Sequence, residues 1–468
     1  MNKNVVLKSL PMVGVIPLLM TGCATSETWT ISSRNEWLDA ASSTSRLEIV
    51  DAQAKSIATE SQFTSAMKRF DKKRALESIT FKQTTAWDNW KEVPNVGPEG
   101  TLDAVVLIPV KDGDYWLLAR KYDTHPKRVQ ETLKHHTYDE MGYHAWHSTD
   151  METWTHYGPV SGYRERWVTT AEYADGKFYI YYDNPNDQDP HLIIDSDLRD
   201  GKMGEDKGMV FADPSHGSDC AIFRDEDERF HLIYENWDPI NAKEHSWDSP
   251  LAGHAVSPDG INDFKILPPA VDHRTNPTGK WGEYVHSSSE TPLQYEIHEP
   301  EQNAYGDWTA IKVGGQYYLF CDYDPVGEKI RIGRFTSDSL DKEFSFCGEL
   351  GGGHPDPSIG FAEGRFYLLQ QQGKVDFISP GPWVPGVEAR AGVDTTGDGK
   401  VDQWSDWQEV KETYSQKPGF ARIVETTPAR LDLSSLPEGY GFCFEYRTVS
   451  APDQNVNVVM DQISVTFK

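Results

Sequence analysis

Basic residues are scarce in this chain of 468 residues. Forty-five Lys and Arg stand against 73 Asp and Glu, a formal charge of −28. Such a surface repels nucleic acid and anionic membranes, so neither is expected as a partner. Cysteine is also rare, at five, too few for a disulfide framework in a chain of this length. Long hydrophobic runs are missing beyond the first two dozen residues. Membrane contact is therefore expected only through the N-terminus.

That N-terminus has its own character. Lys3 and Lys8 precede a short apolar run, Val13 to Met20, which leads into Leu-Met-Thr-Gly-Cys at 19–23. The pattern reads as an export signal and resembles the bacterial lipoprotein signal. The resemblance implies a lipid on Cys23 and a location in the periplasm or on the cell surface, anchored there. A plain secretory signal is the alternative. Of the other cysteines, Cys321 and Cys347 are the pair to examine first for a disulfide, with isolated buried thiols as the alternative.

What the chain has in quantity is a repeated two-hairpin pattern. VTTAEYADGKFYIYY (168–182) is a pair of β segments around Ala-Asp-Gly, where Gly supplies the positive φ of a tight turn. The hairpin returns at 103–118, 219–234, 307–320 and 356–369, with aromatic anchors Tyr115, Phe178, Phe230, Tyr317 and Phe366. These lie 63, 52, 87 and 49 residues apart. A second hairpin with a Ser-Asp or Ser-x-Asp turn recurs between them, as in HLIIDSDLRDGKMGEDKGMVF (191–211). Four-stranded units at irregular spacings of this size predict an all-β fold, a five-bladed β-propeller with loop insertions. An antiparallel sandwich is the simpler alternative, but it gives no reason for five repeats.

The flanks complete the expected organisation. Residues 24–84 carry apolar residues three and four apart (Leu38, Ala41; Phe63, Met67, Phe70), which predicts a short N-terminal helical segment outside the propeller. The propeller is expected over 85–410, with the second hairpin of its fifth blade at 387–410. A C-terminal β extension, 411–468, closes it or packs on it. In DTTGDGKVD, Asp394, Asp398 and Asp402 are evenly spaced oxygen donors. They read either as a structural calcium loop without its final Glu or as an acidic hairpin turn. No other cofactor is implied. The histidines at 135, 136, 144, 147 and 156 show no paired ligand spacing and predict no metal site.

The chemistry is expected at one end of the innermost strands. Four of the five repeats begin with Asp: Asp103, Asp219, Asp307 and Asp356. Carboxylates at one repeat position converge in space and repel unless something uses them. Glycoside hydrolysis uses such a set, with one carboxyl as acid and another as base or nucleophile.

The patterns DPSIGFAEGRFYLL and DCAIFRDEDERFHLIY, with STDMETWTHYGPV, resemble the five-bladed propeller glycoside hydrolases of families 43, 32 and 117 over about residues 85–410. The resemblance implies Asp103 as general base and Asp219 as the residue that tunes the acid and orients the sugar. The Glu-Gly-Pro expected to open the fourth blade is replaced by EIHEPEQNAYGDWTA (296–310). The acid then falls to Asp307, Glu301 or His298, in that order. Around the mouth, Arg164, Arg166, Trp167, Trp308 and Asp356 are the expected sugar-binding residues. The two Arg read either as a clamp for a sulfate or carboxylate or as structural ion pairs. The expected function is an exo-acting glycoside hydrolase on algal or plant oligosaccharides, including anhydro- or sulfated galactans. The alternative is a non-catalytic sugar-binding lipoprotein.

Overall fold

The computed structural model describes residues 26–84, 87, 89–125, 127–184, 189–212, 217–236, 252–271, 304–325, 328–353, 355–371, 375–449 and 458–468. Cys23, Glu301 and His298 lie outside the described residues. The fold is all-β, and its strands gather into seven sheets. Among the described residues no helix is long and apolar enough to cross a membrane.

Five of the sheets are built from the repeated hairpins. Sheet I holds Leu102–Lys111, Asp114–Arg120, Tyr143–Ser148 and Thr155–Pro159. Sheet II runs from Trp167–Ala174 to Glu205–Met209, sheet III from Gly217–Arg224 to Lys265–Val271, and sheet IV from Ala304–Val313 to Ser345–Leu350. Each is antiparallel in chain order. Sheet V has three strands of its own, Ser358–Ala362, Arg365–Leu369 and Asp376–Ser379, and takes its fourth, Lys91–Val93, from ahead of sheet I. The expected second hairpin of this unit is therefore corrected: Val387–Asp394 pairs elsewhere, and residues on both sides of the first sheet complete the fifth.

The first strands pack in a cycle. That of sheet I touches those of II and V, II touches III, III touches IV, and IV touches V. Their central residues are buried on both faces, as in VVLI at 105–108 and SIGFA at 358–362, which accounts for apolar runs where a half-exposed strand would alternate. Four of the five aromatic anchors are buried and Tyr317 is half-buried; Phe178 lies against Trp116 of sheet I, and Phe230 against Tyr179 of sheet II.

The two ends of the chain meet in one β-sandwich. Val459–Phe467 lies between Gln53–Ser56 and Leu76–Gln83 in one sheet, and Gly439–Thr448 lies between Gln62–Ser65 and Val387–Asp394 in the other. Phe63, Phe81, Phe444, Tyr446 and Phe467 fill the space between. The helical expectation for 24–84 is corrected here. Only Arg34–Ala40 is an α-helix, capped by Ser33 and Glu36. Phe63 belongs to a short strand and stacks 5.5 Å from Tyr446, 383 residues away. Apolar residues three and four apart, read over two short strands and a turn, imitate a helical stripe, because the partners that define the strands are remote in sequence.

A hairpin from the C-terminal region, Thr413–Gln416 and Ile423–Thr427, reaches the far end of the ring. Ile423 and Val424 pair with Lys312 and Val313 at the end of the first strand of sheet IV. Arg422 is buried there, with its guanidinium donating to Ala171 O (2.9 Å), Ile359 O (3.3 Å) and Ala310 O (3.5 Å). Those carbonyls belong to sheets II, V and IV, so one side chain ties three of the five sheets together. Gln416 does the same for sheet I through Pro109 O. The four described cysteines outside the N-terminus are thiols, not disulfides.

Candidate active site

The end of the ring opposite Arg422 carries the converging acids. Asp103, Asp219, Asp307 and Asp356 all have left-handed backbone, with φ of 60°, 41°, 50° and 43°. A non-glycine residue seldom adopts this conformation, and Asp tolerates it better than most. In sheets I, III and IV the cause is visible in the register. Leu102 pairs with Arg120, Ser218 with Glu235, and Gly306 with Asp322, and the next residues of the first strand, three in sheet I and two in sheets III and IV, are bulged out of the ladder. A bulge re-aims a side chain; here the Asp is the residue at which it starts. In sheet II Trp167 pairs with Asp183, but Val168 stands where the other sheets have Asp and stays in the ladder opposite Tyr182; the irregularity comes one residue later, at Thr169.

The residue opposite each bulge forms a second polar circle. Arg120, Asp183, Glu235, Asp322 and Gln371 each lie five residues beyond an aromatic anchor. Three of them hold the Asp of the next sheet. The Asp219 N–H donates to Asp183 Oδ2 (3.3 Å), the Asp307 N–H to Glu235 Oε1 (3.3 Å) and the Asp356 N–H to Asp322 Oδ1 (2.8 Å). Gln371 donates to Asp356 Oδ2 at 2.7 Å. Asp183, Glu235 and Asp322 are fully buried. A polar residue at this fixed offset in an otherwise apolar strand is the signal in the sequence that would have revealed them.

Sheet I differs in sign. Arg120 is fully buried, donates to Met141 O (2.8 Å) and Arg166 O (3.0 Å), and lies over the rings of Trp167 and Tyr143 at 4.3 and 4.9 Å. Its Nε stands 3.0 Å from Asp103 Oδ2. The contact is an ion pair whose N–H is not aligned for a hydrogen bond, so the charge steadies Asp103 without occupying its lone pairs.

Among the described residues, seven carboxylates therefore share one mouth with a single buried guanidinium, that of Arg120. Burial holds the Asp307 carboxyl well above the usual range, and Asp356, Asp219, Asp322 and Glu235 push it further the same way. Burial also raises Asp103, but there the Arg120 charge opposes the rise. Carboxyl oxygens of Asp307, Asp322 and Asp356 lie within 4.8 Å of one another. They are the described carboxylates that could hold a cation; a proton kept on Asp307 relieves the same repulsion.

The other expected site residues divide. Asp219 and Asp356 join Asp307, whose carboxyl feels both charges. Trp167 is half-buried and carries Arg120 on its face. Trp308 is buried among Tyr305, Phe335 and the apolar residues between sheets III and IV; the bulge turns Asp307 and its neighbour to different sides, so Trp308 presents no face to a sugar. Arg166 pairs with Asp206 at 2.7 Å and donates to Ser161 O, and Arg164 pairs with Glu165 at 3.0 Å. Of the two alternatives for these Arg, the structure has the ion pairs. In the sandwich, Asp394 accepts from the N–H groups of Gly397 (2.6 Å) and Gly399 (2.7 Å), and Asp402 from that of Thr395 (2.7 Å). Their carboxylates hold their own loop, and the three Asp are not among those that converge. His144 and His156 bond to each other at 2.9 Å.

No protein-family model and no curated protein matches the sequence. Solved structures similar to the chain include family-43 glycoside hydrolases. A GH43_1 enzyme from Xanthomonas citri is 15% identical, with 68% of this chain and 95% of that one covered, at a TM-score of 0.40. The RS223 beta-xylosidase is 12% identical over 72% and 98%, at 0.41. An alpha-L-arabinofuranosidase from Clostridium thermocellum is 12% identical over 70% and 95%, at 0.38. At such scores the roles of individual residues must come from this chain's own geometry.

Proposed function

We propose that the five sheets are the blades of a five-bladed β-propeller and that the chain is a glycoside hydrolase acting at the mouth lined by Asp103, Asp219, Asp307 and Asp356. One observation carries the reading: two carboxyl groups of the same mouth are both raised by burial, but only at Asp103 does a neighbouring cation, Arg120, oppose the rise. Asp307 lies half-buried among four other acids, whose charges favour its protonated form. Asp103 faces a buried Arg and loses its proton more readily. Such a pair supplies an acid for the leaving oxygen and a base for water at one pH. Asp219, near Asp307, raises the acid by its charge and offers hydrogen bonds to sugar hydroxyls.

The substrate follows from the same charges. The mouth holds seven carboxylates, and the nearby Arg164 and Arg166 are engaged by Glu165 and Asp206. Among the described residues the mouth's charge is mostly negative and its one buried cation, Arg120, already faces Asp103, so a neutral sugar is the substrate class that fits better than a sulfate or carboxylate. The hairpin bearing Arg422 blocks the other end of the ring. Removal of a terminal sugar, an exo action, is the mode we propose at this mouth. We also propose export with diacylglycerol on Cys23, which mass spectrometry of the mature protein reads directly.

The test of the function is a panel of defined neutral and sulfated oligosaccharides, with release of monosaccharide measured. Cleavage of at least one neutral member from its end is expected. Binding at the mouth without cleavage of any member would establish the non-catalytic reading in its place.

A further inference from the structure

A second cleft lies at the other end of sheet IV from Asp307, where the sandwich meets the ring. Its volume is about 580 Å³, within the range usual for small-molecule sites. It adjoins the turn Gly314–Gly315, seven residues beyond Asp307 along the strand, roughly 23 Å at the usual rise. Its wall is polar and of unusual make-up. Glu412 and Asp461 both face it, with Lys82, Gln53 and Gln316 beside them and Tyr318 as an apolar floor.

The two acids are held but not neutralised. Glu412 Oε2 accepts from the Tyr414 hydroxyl at 3.0 Å, and Asp461 Oδ1 accepts from Gln53 Nε2 at 2.5 Å. Among the described residues neither makes an ion pair. Each carboxylate keeps acceptor capacity beyond its one named bond, and Gln316 keeps both donors of its amide. Burial raises both acids, and in each case the charge of Lys82 opposes it. Two acceptors, an amide and an ammonium around an apolar floor match vicinal hydroxyl groups. Net negative charge disfavours an anion, and the two acids do not belong to a converging group that would hold a metal.

We propose that this cleft between the sandwich and sheet IV is a second carbohydrate-binding site, for a neutral oligosaccharide, separate from the catalytic mouth. It would hold the chain on its polymer while the mouth works on an end, and the sandwich and sheet IV both contribute to its wall.

Calorimetric titration of the full chain carrying Asp103→Asn, with xylotriose, arabinotriose and agarotetraose in turn, decides the matter. At least one of the three is expected to bind at the cleft. Adding Glu412→Gln and Asp461→Asn should remove that equivalent. Gln316→Ala, at the half-buried start of Gln316–Asp324, should weaken it at least tenfold, with circular dichroism showing that the fold is kept. In the otherwise wild-type chain these cleft substitutions should leave hydrolysis of a short substrate unchanged. Should the mouth bind nothing, a lone equivalent sensitive to the cleft substitutions still upholds the site. Binding insensitive to all of them, or none with any of the three sugars, overturns it.

Discussion

Arg120 Nε and Asp103 Oδ2 stand 3.0 Å apart at the mouth of the ring, paired in charge but not aligned as donor and acceptor. Arg120 occupies in sheet I the place that Asp183, Glu235 and Asp322 occupy in sheets II, III and IV. On the function proposed above, this one change of sign in a repeated position is what would separate the base from the acid.

Replacing Arg120 tests that separation. In Arg120→Met the burial of Asp103 is unopposed, so its pKa rises and the acidic limb of the kcat/KM profile moves to higher pH. Arg120→Lys keeps the charge and should leave that limb near its original position, while losing the bonds to Met141 O and Arg166 O. Identical limbs in wild type and Arg120→Met would remove the electrostatic role.

Asp103→Asn should lower kcat/KM by at least about a hundredfold, the usual worth of a general base. The fold should survive, since Asp103 is partly exposed and Arg120 keeps its two carbonyl partners. Circular dichroism alongside the kinetics separates the two effects.

Asp356→Asn removes a like charge that helps to keep Asp307 protonated. The pKa of Asp307 then falls, and the basic limb of the profile moves to lower pH. The rate on the acidic side should change little by comparison, and the profile measured between pH 4 and 9 shows both.

At the far end, Glu172 lies 3.8 Å from Arg422, and both are buried. Burial raises Glu172 to about 7, with Arg422 opposing. A carboxyl raised on folding favours the folded state while it is protonated. Its contribution is complete below the unfolded value near 4.5 and fades as pH rises through 7, on the order of 3 kcal/mol in all. Thermal melts should therefore show stability falling between pH 5 and 8, with a shallower fall in Glu172→Gln.

Arg422→Ala should be the more damaging change. It frees three carbonyls and leaves Glu172 buried without its cation, at about 3–5 kcal/mol. Denaturant unfolding measures the loss. A variant within 1 kcal/mol of wild type would show that the hairpin does not tie the sheets.

The hairpins, their turns and the Asp at the head of four of them were legible from local pattern alone, because aromatic and β-branched alternation, Gly turns and a repeat period are properties of neighbouring residues. The circle formed by Arg120, Asp183, Glu235, Asp322 and Gln371 was present in the sequence too, five residues beyond each anchor, but polar residues at strand ends are ordinary until their partners are known. Tertiary structure decided the rest. It paired the chain's two ends into a sandwich, where Phe63 meets Tyr446. It gave the fifth sheet a strand from ahead of the first, turned Trp308 inward, and set Arg422 under three sheets at once. Each of these joins residues tens to hundreds of positions apart, and such contacts are fixed by the burial that the closed ring makes available, which no window of sequence contains.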